Sequence, residues 1–582
     1  MPPAGTSKAA DTGCPEARWR ILPQQEDSLA KLRDSPLAAE HPDLLLRLIA
    51  QRGGADEAEA RRYLFPKLAD LSDPFLLPGM TETVERIFQA VDRQEKVLIF
   101  GDYDVDGVTS TTLARSALGA YGLHVDAFVP HRITEGYGLS ISALEICLEK
   151  WSPDLVIAID CGTNNHAETA WLKERGVDAL VLDHHEVGPD GPAECCGVVN
   201  AKRGTEFTYF CSAGIVFKVI HALLKTRLPE EGFDLKNYLD LVAVGTISDI
   251  VPLIDENRIL VRKGLGCLSR RGHPGLTALM KVAGVPARVL SSHISFRLGP
   301  RINAAGRIDN ALHSLKLMLE GDNVKAFQRA QVLDVHNRNR QDLERRIVAE
   351  AEQQLVHEDS DGRASIVLGS DGWHPGVVGI VASRIMKAWH RPAIVIGFDK
   401  SGLGKGSGRS VPGVNLVAAL ERCREYLVSG GGHEQAVGVT VRRECFDQFR
   451  TAFEEAIKVE NSAESMIPEI KIDQVIEFAD IPYEFLDHHE FLEPFGSGNS
   501  VPVFAAGRVY PAAEPRYLGQ EMKHLKLLLS QNGHRRDAIW FNAVTPLPPP
   551  PWDIAFTIER NEYRGSASLQ YQLRDLRSSS GG

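Results

Sequence analysis

The chain has no CxxC pair among its nine cysteines, no apolar run of membrane-spanning length and no excess of positive charge. Each absence removes a class of function. Scattered cysteines, two of them adjacent as Cys195-Cys196, exclude a zinc ribbon or disulfide framework and suit the reduced thiols of a cytoplasm. A membrane helix needs about 20 consecutive apolar residues, and no such run is present, so no membrane association is expected. Met1 to Arg20, rich in Pro, Ala and Gly, lacks the apolar centre of a secretory signal, so secretion is not expected either. A net charge of −12 does not advertise nucleic-acid binding, but phosphate contacts depend on where Lys and Arg cluster, and a local basic groove still suffices. What remains is an ordinary globular composition, 43% hydrophobic and 24% charged, over 582 residues. That length exceeds one hydrophobic core and implies two to four domains.

The most informative stretch is Asp102-Tyr103-Asp104-Val105-Asp106-Gly107, directly after the apolar run Val97-Leu98-Ile99-Phe100. A buried strand ending in three acids aims negative charge at the carboxyl edge of a sheet, where open α/β folds place ligands. Carboxylates so close together repel, and a divalent cation relieves that repulsion. An EF-hand calcium loop opens in the same way but needs a Glu at its twelfth position; here that position is Leu113. A phosphate-cradling P-loop fails too, because Gly107-Val108-Thr109-Ser110 lacks the lysine and the second glycine.

From about Lys96 the pattern alternates strand and helix. Val97–Phe100, Val125–Val129, Leu155–Ile159, Ala179–Leu182 and Val198–Val199 read as strands of a doubly wound parallel sheet. Residues Asp322 to Glu358 read as one charged connector helix with a thin apolar stripe of Phe327, Leu343, Ile347 and Leu355. A smaller α/β segment follows, with strands Ser365–Leu368 and Ala393–Gly397 and helices near Val377–Lys387 and Leu416–Tyr426. After about Glu460 come strands Val501–Phe504, Leu525–Leu529, Ala538–Phe541, Ile554–Ile558 and Leu569–Leu573, enough for a small β-barrel such as an OB-fold. The expected domains are a tail with short helices (1–66), the metal-site domain (67–321), the connector (322–360), the second α/β domain (361–459) and the barrel (460–582).

Three more expected strand ends carry metal-capable side chains: Asp160-Cys161-Gly162, Asp183-His184-His185, and Asp249 after Val244–Ser248. Singly, each is weak, since a lone Asp after a strand is usually a helix cap. Together they collect six or seven O and N ligands at one edge, enough for two cations such as Mn²⁺ or Mg²⁺. Asp487-His488-His489-Glu490 repeats the letters of 183–186 with no strand before it and is taken as a surface coincidence.

These motifs, with Asp249-Ile250-Val251-Pro252, resemble the DHH phosphoesterase superfamily. Arg132-x-x-Glu135-Gly136-Tyr137-Gly138-Leu139, Arg297–Arg307, Gly372–Ile380, Gly406–Ser410, Gly431-Gly432-His433 and Leu492–Asn499 narrow the resemblance to its RecJ family of single-strand-specific 5′→3′ exonucleases. It runs from about Tyr63 to the end. It implies a DHH domain, a linking helix, a DHHA1 domain and an OB-fold, together forming a clamp that admits one DNA strand, in a monomer acting in recombination, base excision repair and mismatch repair. It implies Asp104 and Asp160 on one cation, with Asp102 completing that site or holding its water. Asp106, Asp160, His184 and Asp249 would hold the other, Asp160 bridging. Asp183 would orient a histidine and His185 would touch the scissile phosphate or donate a proton. Arg132, Ser407 and Arg409 would hold a 5′-terminal phosphate. Arg297, Arg301, Asn303 and Arg307 would contact the strand, and Gly431 and Gly432 would place His433 over the substrate. Trp540, Phe541 and Tyr563 are barrel aromatics able to stack bases. A RecQ-type helicase and single-strand-binding protein are the implied partners. The chain ends just past the barrel, so the extra C-terminal domain of some members is not expected. The alternatives are a DHH phosphodiesterase acting on nanoRNA, cyclic dinucleotides or pyrophosphate, and a non-catalytic strand-binding scaffold.

Overall fold

The computed structural model describes residues 16–131, 138–270, 272–357, 362–460, 466–519, 522–543, 546–563 and 566–579. The chain forms two compact units. One comprises the residues up to Ala60, Gln341–Phe491 and Val501 onward; the other comprises Arg61–Arg340 and Leu492–Ser500.

The second unit is built on five parallel strands: β1 (Lys96–Gly101), β2 (His124–Phe128), β3 (Leu155–Ile159), β4 (Asp178–Asp183) and β5 (Gly197–Asn200), in the order β2-β1-β3-β4-β5. Alternate strand residues point to opposite faces. Val97, Ile99, Leu155, Ile157, Leu180 and Leu182 join the core on one face, while Leu98, Phe100, Val156, Ala158 and Val181 join that on the other. Both faces are covered, so the strands read as unbroken apolar runs. The order reverses at β1, with β2 on one side and β3 on the other. The carboxyl ends of β1 and β3 therefore flank the topological switch point where such sheets bind ligands.

Helix α1 (Val105–Ala120) follows β1, α2 (Ser212–Thr226) follows β5, and α3 (Leu239–Ser248) precedes Asp249. The last element corrects an expectation: Val244–Ser248 is helix, and Asp249 is a helix C-cap, not a strand end. Every residue from Leu239 to Ile247 is buried, so the segment shows no amphipathic period to separate helix from strand.

Further along the chain come α4 (Gly299–Ile308), α5 (Leu312–Met318) and the 35-residue α6 (Asn323–His357). The connector is present as expected, about 50 Å long at 1.5 Å per residue. Of its expected stripe, Ile347 and Leu355 are buried. Phe327 and Leu343 are only half-buried, whereas Asn337, Arg340 and Glu344 are buried at its centre. Arg340 donates to Asn337 Oδ1 at 2.9 Å, and Arg384 pairs with Glu344 at 2.5 Å.

Residues Leu492–Ser500 return to the unit of the parallel sheet from far along the chain. Arg258 donates to the Leu492 carbonyl at 3.0 Å, Arg262 to that of Glu493 at 3.1 Å, and Ser291 to that of Phe495 at 2.5 Å. Tyr63 donates to Asn499 Oδ1 at 2.8 Å, and the Leu253 amide to the Ser497 carbonyl at 2.8 Å. Gly498 has φ +70, and a Cβ there would stand 3.1 Å from Pro252. The segment thus backs the Pro252-Leu253 turn just after Asp249.

In the first unit, β6 (Ile366–Asp371), β7 (Ala393–Phe398), β8 (Leu403–Arg409), β9 (Ser429–His433) and β10 (Ala436–Arg442) form a sheet in the order β9-β10-β8-β7-β6, with α7 (Val378–Trp389) packed on β7 and β8. The glycine-rich Gly406–Gly408 stretch is an inner strand, not a loop. Its glycines admit neighbouring side chains, since a Cβ at Gly406 would stand 2.5 Å from Ile396. The barrel strands are β11 (Phe504–Pro511), β12 (His524–Gln531), β13 (His534–Trp540), β14 (Trp552–Tyr563) and β15 (Ser566–Ser578), in the order β11-β14-β15-β13-β12, closed by pairing of β11 with β12. Val501–Val503 lies before the first barrel strand, which starts at Phe504. Arg18–Ile21, expected in the tail, forms a strand pairing in parallel with Glu469–Ile472. His489 is 6% exposed within the helix Phe485–Glu490, which corrects the surface assignment at that residue, while Asp487 is exposed as expected.

Candidate metal centre

Asp102 follows β1, Asp160 follows β3, and Asp183 ends β4. The backbone ladder staggers them, with the Asp102 amide donating to the Ile159 carbonyl at 3.2 Å and that of Asp160 to the Leu182 carbonyl at 3.0 Å. All three are buried, at 2%, 2% and 1% exposure. Asp104 is the N-cap of α1, accepting from the Gly107 amide at 3.0 Å. Gly107 is sterically required, because a Cβ would lie 2.4 Å from the Asp102 carbonyl oxygen. Asp106, on the first turn of α1, accepts from the Ser212 amide at 2.7 Å and from the Ala213 amide at 2.9 Å. These N–H groups open α2, where a helix has no partners of its own to offer them and favours negative charge.

Three groups of potential ligand atoms, each within 4.8 Å of one another, lie here: Asp102, Asp104 and Asp160; Asp106, His184 and Asp249; and Asp160, His184 and His185. His184 Nε2 stands 3.3 Å from Asp160 Oδ1 and 3.6 Å from Asp249 Oδ2. Those separations suit neighbouring ligands that each lie about 2.0–2.2 Å from one ion. Asp160 has φ +65, a backbone conformation that costs energy in a non-glycine residue and that clusters at functional sites. Ser212 Oγ donates to its Oδ1 at 2.9 Å.

Asp183 is committed differently. Its Oδ1 accepts from the backbone amides of His184 and His185 and meets His185 Nδ1 at 2.7 Å; its Oδ2 accepts from the Thr163 amide. It sets the loop and turns His185, not His184. Asn200, at the end of β5, donates to the His185 carbonyl at 2.9 Å and to Thr163 Oγ1 at 2.8 Å.

The electrostatics fit a cation trap. Burial, then the charges of Asp106, Asp104, Asp102 and Asp183, pushes Asp160 well above the usual carboxylate range. Burial and Asp104 push Asp106 up to about 6, against the amides of Ala213 and Ser212. Burial, then Asp106 and Asp104, push Asp249 up to about 8. Burial, reinforced by His185, lowers His184 to about 3, leaving a neutral imidazole with a lone pair to offer. Burial alone would lower His185, but the Asp183 hydrogen bond and charge outweigh it and raise its pKa. Burial would raise Asp183, and the same His185 contact instead holds it low.

Those shifts make the metal-free fold less stable as pH rises. Asp106 and Asp249 hold protons in the folded, metal-free chain at pH values where the unfolded chain, with carboxyls near 3.9, has released them. Their contribution is complete below about pH 4 and is lost as pH rises through about 8. Metal-free protein in EDTA is expected to lose about 2–3 kcal/mol of unfolding free energy between pH 6 and pH 8, at a slope of at most about 1.4 kcal/mol per pH unit per group. Mn²⁺ should cancel that loss. Urea titrations at the two pH values measure it; equal stability in EDTA would refute the arrangement.

The other expected site residues fall into two groups. In the unit of the metal centre, Arg297 donates to the Gly284 carbonyl at 2.6 Å, and Arg301 pairs with Asp334 at 2.9 Å. Asn303 and Arg307 lie half-buried on α4. Arg132 lies outside the described residues. In the other unit, Ser407 and Arg409 lie on β8 facing the first turn of α7, where a Cβ on Gly379 would stand 3.3 Å from both side chains. Gly431, Gly432 and His433 lie on the edge strand β9, with Gly432 at φ +144 and His433 exposed. Trp540 is 7% exposed and belongs to the barrel interior, Phe541 is exposed, and the Tyr563 side chain lies outside the described residues. Ser212 and Asn200 escaped sequence reasoning. The signals were a serine opening the helix Ser212–Thr226 and a polar residue ending the Val198-Val199 run.

Comparison with known proteins agrees with this layout. The family models for the DHH family N-terminal domain, the DHHA1 domain and the RecJ OB domain match residues 96–246, 362–459 and 472–575. The single-stranded-DNA-specific exonuclease RecJ of Bacillus subtilis is 36% identical over 535 residues, covering 90% of this chain and 66% of that protein. Its counterpart from Haemophilus influenzae is 34% identical, covering 93% of this chain and 98% of the relative. The crystal structure of Thermus thermophilus RecJ in complex with Mn²⁺ superposes with a TM-score of 0.81 at 28% identity, over 97% of this chain and 80% of that one. A second structure of that protein carries Mg²⁺. With three family models in this order and curated relatives covered nearly end to end, the chain belongs to the RecJ family of DHH phosphoesterases.

Proposed function

We propose that this protein hydrolyses single-stranded DNA from a 5′-phosphorylated end, releasing 5′-mononucleotides with two divalent cations, Mn²⁺ or Mg²⁺. The observation that carries the reading is the adjoining of two ligand groups, Asp102, Asp104 and Asp160 on one side and Asp106, His184 and Asp249 on the other, with His184 Nε2 3.3 Å from Asp160 Oδ1. Cations held by these residues would supply an activated water and neutralise charge developing on the phosphate. The chain's own residues do the rest. The first turn of α2 fixes the Asp106 carboxylate, and Ser212 orients Asp160. Asp183 holds the His185 ring by Nδ1, which leaves Nε2 to meet a phosphate oxygen or pass a proton to the leaving group. Ser407 and Arg409 over the first turn of α7 suit a terminal phosphate, since helix N-termini and Arg forks both favour one. Arg132 joins them in this role, Arg297, Arg301, Asn303 and Arg307 contact the strand backbone, and His433 works at the substrate from its glycine-rich strand. A monomer in the cytoplasm, fed by a RecQ-type helicase and single-strand-binding protein during recombination and repair, is the setting that fits.

The test is the full chain with Mn²⁺ or Mg²⁺, given 5′-labelled single-stranded DNA, duplex DNA, short RNA and pyrophosphate. Mononucleotide release confined to single-stranded DNA is expected, and none from that substrate would overturn the proposal. Arg409→Ala should raise KM for 5′-phosphorylated strands roughly 10- to 100-fold, the worth of a charged hydrogen bond. It should leave 5′-hydroxyl strands nearly unaffected; an equal loss on both would remove Arg409 from the phosphate.

A further inference from the structure

Asp309, His313 and His336 form a second cluster of metal-capable side chains, in the helices behind the acidic loop and sharing no residue with the three groups above. Asp309 is the C-cap of α4, His313 lies on α5 and His336 on α6. His313 Nε2 and His336 Nε2 face the same oxygen, Asp309 Oδ2, at 3.6 and 3.5 Å. Both separations exceed those of N–H···O hydrogen bonds, whose range ends near 3.2 Å. They match the edge of a tetrahedron around an ion with bonds of about 2.1 Å, roughly 3.4 Å. The His184 separations in the catalytic centre, 3.3 and 3.6 Å, are of the same size.

The ligands are held before any ion arrives. Arg301 on α4 pairs at 2.9 Å with Asp334, two residues before His336. Ser314, next to His313, donates to the Ile302 carbonyl at 2.8 Å, and Asn310 Oδ1 accepts from the Leu312 amide at 2.8 Å. Burial holds the His336 imidazole below its usual range despite the nearby Asp309, so it offers a lone pair at neutral pH.

We infer that Asp309, His313 and His336 bind a third divalent cation, of the borderline class led by Zn²⁺, separate from the catalytic pair. Two imidazoles and one carboxylate favour Zn²⁺, Co²⁺ or Ni²⁺ over Mg²⁺ or Ca²⁺, which take oxygen ligands. Three protein ligands leave a position for water. The ion ties the long helix to α4, whose Gly306 packs on the acidic loop: a Cβ there would stand 3.0 Å from the Tyr103 carbonyl oxygen.

The experiment counts Zn²⁺ by equilibrium dialysis on the full chain after EDTA treatment. In an Asp106→Ala/Asp160→Ala background, which disarms the catalytic centre, Zn²⁺ should still bind, and adding His313→Ala and His336→Ala should remove one equivalent per chain. The same two histidine substitutions alone should leave the Mn²⁺-dependent exonuclease rate unchanged, which also reports that the chain folds. Equal Zn²⁺ content with and without the two histidines overturns the inference. Should the histidine variants fail to fold, diethyl pyrocarbonate labelling of the Asp106→Ala/Asp160→Ala chain decides: Zn²⁺ protects His313 and His336 if the site exists, and unchanged labelling refutes it.

Discussion

Asp160→Ala is expected to abolish nucleotide release from single-stranded DNA, lowering kcat on the order of 10³-fold or more while the protein stays folded. The magnitude comes from what the residue joins. Asp160 shares one ligand group with Asp102 and Asp104 and lies 3.3 Å from His184 of the other, so its loss would disturb both proposed cation sites at once. Cation catalysis supplies several kcal/mol, and each 1.36 kcal/mol is a factor of ten in rate. A second substitution separates charge from backbone. Asp160 sits at φ +65, a conformation that Asn tolerates better than Ala. Asp160→Asn should therefore keep the backbone and still lose the rate, because a neutral amide is a poor bridging ligand. Single-turnover cleavage with Mn²⁺, alongside thermal unfolding, measures both variants. Near-normal cleavage by either would end the bridging role.

Glu256→Ala is expected to cost about 3–5 kcal/mol of stability, the largest effect foreseen for a residue outside the metal centre. Lys218, on α2, is 0% exposed, and its Nζ donates to Glu256 Oε2 at 2.9 Å, to the Ser72 carbonyl at 2.9 Å and to Ser72 Oγ at 3.1 Å. Burial already pulls the lysine below its usual pKa, and Glu256, with a smaller contribution from Asp73, favours its charge. Removing the carboxylate leaves a buried ammonium whose remaining hydrogen-bond acceptors, both on Ser72, are neutral. Against a typical total of 5–15 kcal/mol, that loss is large. Lys218→Met combined with Glu256→Leu should recover most of it, since an apolar pair of similar volume carries no desolvation penalty. Urea unfolding of the single and double variants tests this, and a single variant within 1 kcal/mol of the parent would contradict it. Lys218 lies less than two turns after Ser212, so the same loss should loosen the N–H groups that hold Asp106.

The β/α alternation of the sheet domain was legible because its strands are short apolar runs with acids at their ends, and all five appear within a residue or two of expectation. The acids and histidines of the metal centre were legible for the same reason: a strand end fixes where its next side chain goes. Asp249 was expected at a strand end, and it stands instead at a helix C-terminus, 3.6 Å from His184 Nε2. A buried helix and a buried strand are both continuously apolar, and Leu239–Ser248 gave no period to choose between them. Ser212 and Asn200 act through hydrogen bonds to groups distant in sequence, such as Asp160 and His185. No local pattern encodes such partners. The cluster of Asp309, His313 and His336 was invisible likewise, because two of its ligands are four residues apart and the third arrives from another helix.

The return of Leu492–Ser500 to the catalytic unit has a temporal consequence. Arg262 and its acceptor at Glu493 are 231 residues apart. At 5–20 residues per second, synthesis of the intervening chain takes roughly 10–50 s. During that time the sheet and its acidic ends are already made, but the turn after Asp249 lacks its backing. In the nascent chain the turn after Asp249 is thus secured only when the barrel that follows is about to emerge.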